Sequence, residues 1–354
     1  MEVVVVGAGI VGAAMAYEAA RAGAAVTLVD RSLPASGATG DSFAWIGGPG
    51  GADVPDESWP IRHRALSDYR RLQRLVPGVQ VRWTGSLTWD EQGPTRDRRL
   101  GADEQLFDVA QTRRLEPNLA TVPPLALHKE SDGVIDPIAV TDALVRAACA
   151  HGTRLMTGTA VSALSVRNGR VVGAQTSSGF VVADTVVVTS GVDAPMLCAP
   201  LGFDLPVAPS PALLLRFTAA PGLVRTLIAG THVEVRQASD GQLLVAAAYH
   251  GETSHEDLDR TARETLDRLT ATFAGTHDIR LVSVRLAVRP MPADGLPVVG
   301  PLPGVAGAYV AVMHSGVTLA PVVGRLGADE IVNRVEAAEL NGLRPHRFRP
   351  RARR

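Results

Sequence analysis

The sequence predicts an α/β fold in which a parallel sheet alternates along the chain with a mainly antiparallel α+β unit. Three observations predict it. A four-valine run, Val3–Val6, leads into Gly7-Ala8-Gly9-Ile10-Val11-Gly12, a helix-like stretch, and a second apolar run, Ala25–Val29, that ends on Asp30. A β-branched run, Thr185–Val188, stops short of Gly191 and reads as a strand buried on both faces of a parallel sheet. Other stretches carry antiparallel strand signals, and Asp240-Gly241 supplies a hairpin turn.

The first observation is strand, Gly-x-Gly-x-x-Gly turn, helix, strand, acid, which is the dinucleotide-binding fingerprint in its full context. Gly7 allows the tight turn, Gly9 lets backbone approach a pyrophosphate, and Gly12 lets the helix pack on the strand. The helix N-terminus offers unpaired N–H groups to the phosphates. Asp30 can accept hydrogen bonds from both hydroxyls of an adenosine ribose. Which dinucleotide binds is not stated by the turn itself.

The remaining elements follow in order. Gly and Pro punctuation near 47–60 predicts a long loop. A helix over about 61–76 places Ile61, Ala65, Tyr69, Leu72 and Val76 on one stripe, with a solvated arginine-rich face opposite. Asp136 caps a helix over 136–151, with Pro137 in its first turn. Strands are expected at 170–174 and within 180–188. Antiparallel strand signals fall at Val79–Trp89, Ala212–Thr218, His232–Arg236, Gln242–Ala248 and Leu281–Val288. A helix over about 255–274, begun by Ser254 and Asp257, is inserted among them. Near the C-terminus, Arg289–Pro301 leads to a strand at Ala308–Val312, and Met313-His314-Ser315-Gly316-Val317-Thr318-Leu319 opens a final helix. Its N-terminus suits an anion, or a group that becomes one. The expected boundaries are 1–78, 133–206 and 287–354 for the nucleotide unit and 79–132 and 207–286 for the second. Such interleaving is unlike a two-lobed NAD dehydrogenase.

Composition is that of a soluble globular enzyme: 354 residues, net charge −1, 20% charged and 46% hydrophobic. A nucleic-acid partner is not indicated. Lys129 is the only lysine, placed in a loop of the second unit. Cys149 and Cys198 read as buried, inert thiols of a reducing compartment. No metal site is expected, since His250, Glu252 and His255 lack the spacing of a helical zinc pair. The apolar start has no basic n-region and serves as the first strand, so it is not read as a signal peptide. No run approaches the length of a transmembrane segment. The expected location is cytoplasmic. The basic tail, Arg344–Arg354, reads as a solvated, disordered end, with attachment to an anionic membrane surface as the second reading. Oligomeric state is not legible.

Several motifs in this order resemble the glycine oxidase/D-amino-acid oxidase (DAO) family of FAD-dependent oxidoreductases. They are the N-terminal fingerprint, Ser36-Gly37-Ala38-Thr39, Gly133–Pro137, Ala183–Gly191, Arg289–Gly300 and His314–Pro321. The resemblance covers about residues 2–348. It implies a Rossmann-type FAD-binding domain interleaved with a substrate-binding domain. By that resemblance Gly7, Gly9, Ile10, Val11, Gly12, Asp30 and Arg31 hold the ADP half of FAD. Ala38, Thr39, Gly40, Asp41 and Ser42 pass over the pyrophosphate and the flavin side. Val161 contacts adenine, Ser190 and Gly191 lie near the pyrophosphate, and Gly316, Val317, Thr318 and Leu319 sit at the pyrimidine edge of the isoalloxazine. Arg289 grips the substrate carboxylate, the other reading being a salt-bridged strand end.

The chain departs from the family at several points. Met313 replaces a common glycine, so His314 either shapes the loop near the flavin or packs at the helix start. Ala287 stands where branches with tethered flavin place a cysteine, so FAD is expected to be non-covalent. A strand tyrosine of the glycine oxidase branch is missing near His232, leaving His232 or Tyr249 as candidates to face substrate. The implied activity is oxidation of the C–N bond of a small amino acid or secondary amine, by hydride transfer to flavin N5, giving an imine. Oxygen or another acceptor then takes the electrons. The alternatives are a D-amino-acid dehydrogenase delivering electrons to a quinone or redox protein, an NAD(P)-dependent dehydrogenase, and a FAD-binding subunit without activity of its own.

Overall fold

The computed structural model describes residues 1–91, 93, 94 and 97–348. The chain opens with β1 (Glu2–Val6), α1 (Ile10–Arg21) and β2 (Ala25–Val29), then runs through β3 (Trp45–Ile46) to α2 (Trp59–Leu75). β4 (Ser86–Thr88), β5 (Glu104–Asp108), α3 (Val109–Leu115), β6 (Leu125–Lys129) and β7 (Gly133–Val134) follow. Next come α4 (Pro137–Ala150), β8 (Arg154–Met156), β9 (Val161–Arg167), β10 (Arg170–Thr176), β11 (Gly179–Val182), β12 (Thr185–Val188) and α5 (Ala194–Cys198). The remainder holds β13 (Val207–Phe217), β14 (Leu227–Ala229), β15 (Glu234–Gln237), β16 (Leu243–Ala248) and α6 (His255–Thr272). The last elements are β17 (Leu281–Pro292), β18 (Val298–Pro301), β19 (Ala308–Val312) and α7 (Gly316–Ala328).

Two sheets dominate. A six-stranded sheet has the order β18-β19-β12-β1-β2-β8, parallel except for β18. Its central strand shows why four valines stand together. Val3 and Val5 pack into one core with α1, α2, α4 and α7, while Val4 and Val6 pack into a second with β10 and α5. Both faces are covered, so both need apolar side chains. An eight-stranded sheet has the order β17-β13-β16-β15-β14-β4-β6-β5, antiparallel except where β14 meets β4. The amphipathic α6 covers its outer face, burying Ala262 and Leu269 against Leu213, Leu215, Phe217, Val235 and Val245. The Ser254–Asp257 capping box is formed, and Asp136 caps α4 through Ile138 and Ala139 N–H.

Several expectations are corrected. Of Val79–Trp89 only Ser86–Thr88 is a strand, and β15 begins at Glu234, leaving His232 in the preceding turn. The short strands β5, β6, β8 and β14 had no signal in the sequence. Cys149 is exposed on α4, and only Cys198 is buried. Lys129 ends β6 and is 7% exposed, so it is a buried strand residue rather than a loop lysine. The tail is not solvated from its start. Arg344 is buried against Glu330, and Arg347 pairs with Asp294 at 2.7 Å. Residues 349–354 of the basic tail lie outside the described residues. Among the described residues, no helix is long and apolar enough to cross a membrane.

The arginine face of α2 is also not uniformly solvated. Asp68, 4% exposed, receives a fork from Arg325 of α7, with both contacts at 2.8 Å, and a 3.0 Å contact from Arg71. Arg71 reaches on to Glu18 of α1. Burial pushes the Asp68 carboxyl up, but the two arginines outweigh it and hold it below the ordinary range. Removing one partner of such a pair strands a buried charge. Asp68→Asn should therefore destabilise the fold by about 3 kcal/mol, measured as a lowered urea midpoint; an unchanged midpoint would show that the cluster is not structural.

Candidate active site

The site is built around the turn between β1 and α1. Gly7 has φ +106°, and a Cβ there would lie 2.7 Å from the Thr189 carbonyl oxygen. A Cβ on Gly12 would lie 1.8 Å from the Gly7 carbonyl oxygen. Thr189, just beyond β12, donates its hydroxyl to the carbonyls of Val6 at 2.8 Å and Gly7 at 3.0 Å. Two strand ends and a helix start are thus packed too closely for any side chain. Ile10 N–H, the first of α1, donates to Thr39 Oγ1 at 3.1 Å, which draws the 38–42 segment across the helix start. Asp30 accepts from Ala8 N–H at 2.6 Å and Ser32 N–H at 2.8 Å, and the capacity left on its carboxylate opens on the cavity. Arg31 pairs with Asp193 at 2.9 Å.

A cavity of about 980 Å³ extends from this turn to the inner face of the eight-stranded sheet. Its lining brings together Gly7, Gly9, Ile10, Val11, Asp30, Arg31, Ala38, Thr39, Asp41, Ser42, Val161, Ser190, Gly191, Gly316, Val317 and Thr318. Three expected cofactor residues stand off it. Gly12 and Gly40 are pressed against backbone, and Leu319 is buried, bordering a smaller adjoining recess. Ser315 enters α7 with φ +57°, and Tyr69 O–H donates to the Val317 carbonyl at 2.5 Å, fixing the first turn of that helix. Thr318 Oγ1 donates to the Trp45 carbonyl at 3.0 Å and ties the same turn to β3.

The far end holds Arg289 and His314. Arg289 donates Nε to the Ser210 carbonyl at 3.3 Å and Nη2 to Ser210 Oγ at 2.9 Å. No carboxylate pairs with it among the described residues, so the reading as a salt-bridged strand end does not hold. The outer end of its fork is left for a ligand in the cavity. Burial, and then the nearby Arg289 charge, hold the His314 pKa below its ordinary value, so the imidazole is neutral at neutral pH. His232 and Tyr249 do not join them. His232 is exposed, and Tyr249 shares the strand parity of Val245 and Ala247, which pack toward α6.

Lining residues that the sequence did not single out come from the roof. Lys129 Nζ donates to the carbonyls of Gly48 and Pro49 at 2.5 and 3.0 Å. Asp132 accepts from Trp45 Nε1 at 2.9 Å and Ser86 Oγ at 2.8 Å, and its other oxygen is buried 4.0 Å from Lys129 Nζ without a hydrogen bond from the described residues. Burial pushes its carboxyl up to about 6 against the pull of Lys129, Ser86 and Trp45. Glu234 also lines the cavity. Arg236, on the same strand face, crosses to the carbonyls of Phe43 at 2.5 Å and Ile135 at 3.2 Å, bolting the roof to the nucleotide side.

Comparison with known proteins then decides the family. The family described as DAO, FAD dependent oxidoreductase, matches residues 2–330. The chain belongs to this family. A D-amino acid dehydrogenase of Cereibacter sphaeroides is 30% identical, covering 96% of this chain and 94% of that protein. The uncharacterized oxidoreductase YurR of Bacillus subtilis is 27% identical, with 97% and 98% covered. The glycine oxidase structure from Bacillus cereus superposes with a TM-score of 0.83 at 20% identity, covering 97% of this chain and 98% of that one.

As a DAO-family oxidoreductase the chain uses FAD, and its residues fit that group. Ser190 Oγ, at the place assigned to the pyrophosphate, is buried and has no protein partner among the described residues. The glycine turn leaves backbone N–H groups beside it. Neither cysteine lines the cavity, and Ala287 does, which leaves no thiol in the lining to tether the flavin. Among the described residues no group of three or more His, Cys, Asp or Glu could hold a metal ion. Gly12→Ala should give protein purified with little flavin, read as the ratio of visible flavin to protein absorbance; full occupancy would show that the turn is not the cradle.

Proposed function

We propose that this oxidoreductase oxidises the C–N bond of a small amino acid or secondary amine whose carboxylate rests on Arg289. The observation that carries this reading is the open outer end of the Arg289 fork, facing the same cavity as the glycine turn and the α7 entry. A planar guanidinium matches a carboxylate in two parallel hydrogen bonds and so sets orientation as well as affinity. When bound, FAD supplies the hydride acceptor at flavin N5.

The rest is the work of the chain's own residues. Gly7, Gly9 and the α1 N-terminus hold the diphosphate, and Asp30 accepts from the ribose. The N-terminus of α7, at Gly316–Thr318, carries partial positive charge that favours negative charge at the pyrimidine edge. Arg289 fixes the substrate at one end so that its α-carbon is presented to the flavin. The His314 imidazole, kept uncharged by burial and by Arg289, can donate or accept a hydrogen bond at this end of the cavity without adding a second cation. The imine product leaves to hydrolyse in water.

The 30% identical D-amino acid dehydrogenase supports a second reading, in which a quinone or redox protein rather than oxygen receives the electrons. An oxygen electrode separates the two. Peroxide formation supports the oxidase; turnover only with an artificial acceptor supports the dehydrogenase. The unpaired cysteines suit a cytoplasmic location. Arg289→Ala should leave FAD bound and raise KM for carboxylate substrates about a hundredfold, the loss of a charge-assisted fork. An unchanged KM would refute the role.

A further inference from the structure

Several carboxylates line the cavity, and Asp53, Glu104 and Asp132 are each held by hydrogen bonds within the protein, whereas Glu234 is not. Glu234 stands on β15 with its side chain on the inner face of the roof, while the next residue, Val235, packs outward toward α6. Its cross-strand neighbours are Ala246 on β16 and Ala229 on β14. Two alanines leave the acid standing clear between shorter side chains. No hydrogen bond or ion pair from the described residues reaches its carboxylate. Burial pushes it up, and Arg289 is the charge that pulls it back.

The other cations of the cavity are committed elsewhere. Lys129 is spent on the Gly48 and Pro49 carbonyls and lies beside Asp132. Arg31 is paired with Asp193 at the opposite end. Arg289 is directed by Ser210 and answers the substrate carboxylate in the proposed reading. A half-buried carboxylate with no ion-pair partner in contact is costly unless the ligand supplies one. The strands carrying Arg289 and Glu234 are separated by β13 and β16, about 14 Å across the sheet at ordinary strand spacing, and Arg289 lies further along β17 than Arg285, the residue level with Glu234. A molecule that meets both needs a carboxylate at one end and a cation several bonds away.

We infer that Glu234 is a specificity-determining residue that binds a cationic group at the far end of the substrate side chain, and that the preferred substrates are basic amino acids. The inference rests on the carboxylate role of Arg289. Ornithine is the kind of molecule that fits, and norvaline, with a similar chain but no terminal ammonium, is the matched neutral one. Acidic side chains are disfavoured because they would meet Glu234 directly.

Two measurements on the holoenzyme test it. The first is equilibrium binding of 5-aminopentanoate and pentanoate, which share a carboxylate and differ by one terminal ammonium, followed by perturbation of flavin absorbance. The ammonium compound should bind about tenfold tighter or better, and Glu234→Gln should remove the difference. The second is the ratio of kcat/KM for ornithine to that for norvaline with an artificial acceptor, for each enantiomer. It should exceed about tenfold and collapse in Glu234→Gln. Equal binding in the wild type, or a ratio that Glu234→Gln leaves unchanged, overturns the inference. If no amino acid is oxidised at all, the C–N reading falls, whereas the binding comparison needs no turnover and still decides the place of Glu234.

Discussion

The structure depends on one close approach. The ends of β1 and β12 and the start of α1 are packed so tightly that Gly7 and Gly12 have no room for a Cβ, with Thr189 clamping the turn from the side. Everything that binds the dinucleotide follows from this contact. It fixes the axis of α1, aims its N-terminus into the cavity, and brings Asp30 and Ser190 to the same rim. The parallel order β12-β1-β2 then has a functional consequence, because a crevice forms where strand ends meet helix starts.

A turn of this kind binds one half of a cofactor and is silent about chemistry. The chemistry comes from the chain's return. β17 crosses from the roof toward the nucleotide side and carries Arg289 with it, and β19 feeds the left-handed Ser315 and the α7 entry. The roof itself is held by polar bolts, Arg236 on two carbonyls and Lys129 on two more, while Thr318 ties the α7 entry to Trp45. Such contacts fix the separation between Arg289 and the glycine turn, and hydride transfer depends on that separation.

What the sequence revealed follows from where backbone constraint is strict. Gly7, Gly9, Gly12 and Asp30 are legible because no other residue types satisfy a tight turn and a ribose acid in that order. Thr185–Val188 is legible because a strand buried on both faces must be apolar throughout. The Arg289 and α7 segments are legible through family resemblance rather than through periodicity. The roof was mostly illegible. β4 and β14 are three residues long and β6 reads Leu-Ala-Leu-His-Lys, too short for alternation to register, so from sequence Lys129 reads as a loop residue. Tyr249 shows the parity problem directly: a strand shifted by one residue turns a candidate site residue into the α6 core. Glu234 gave no signal because a lone acid on a strand ordinarily faces water, and only the fold of the roof turns it inward.

Both halves of this cavity act on one amine. Anaerobic addition of amino acids and secondary amines to the purified yellow protein examines this without any electron acceptor. At least one carboxylate-bearing amine should bleach the bound flavin and release the corresponding imine or its hydrolysis product. Bound flavin left oxidised by every such compound, in protein that dithionite can reduce, would contradict it.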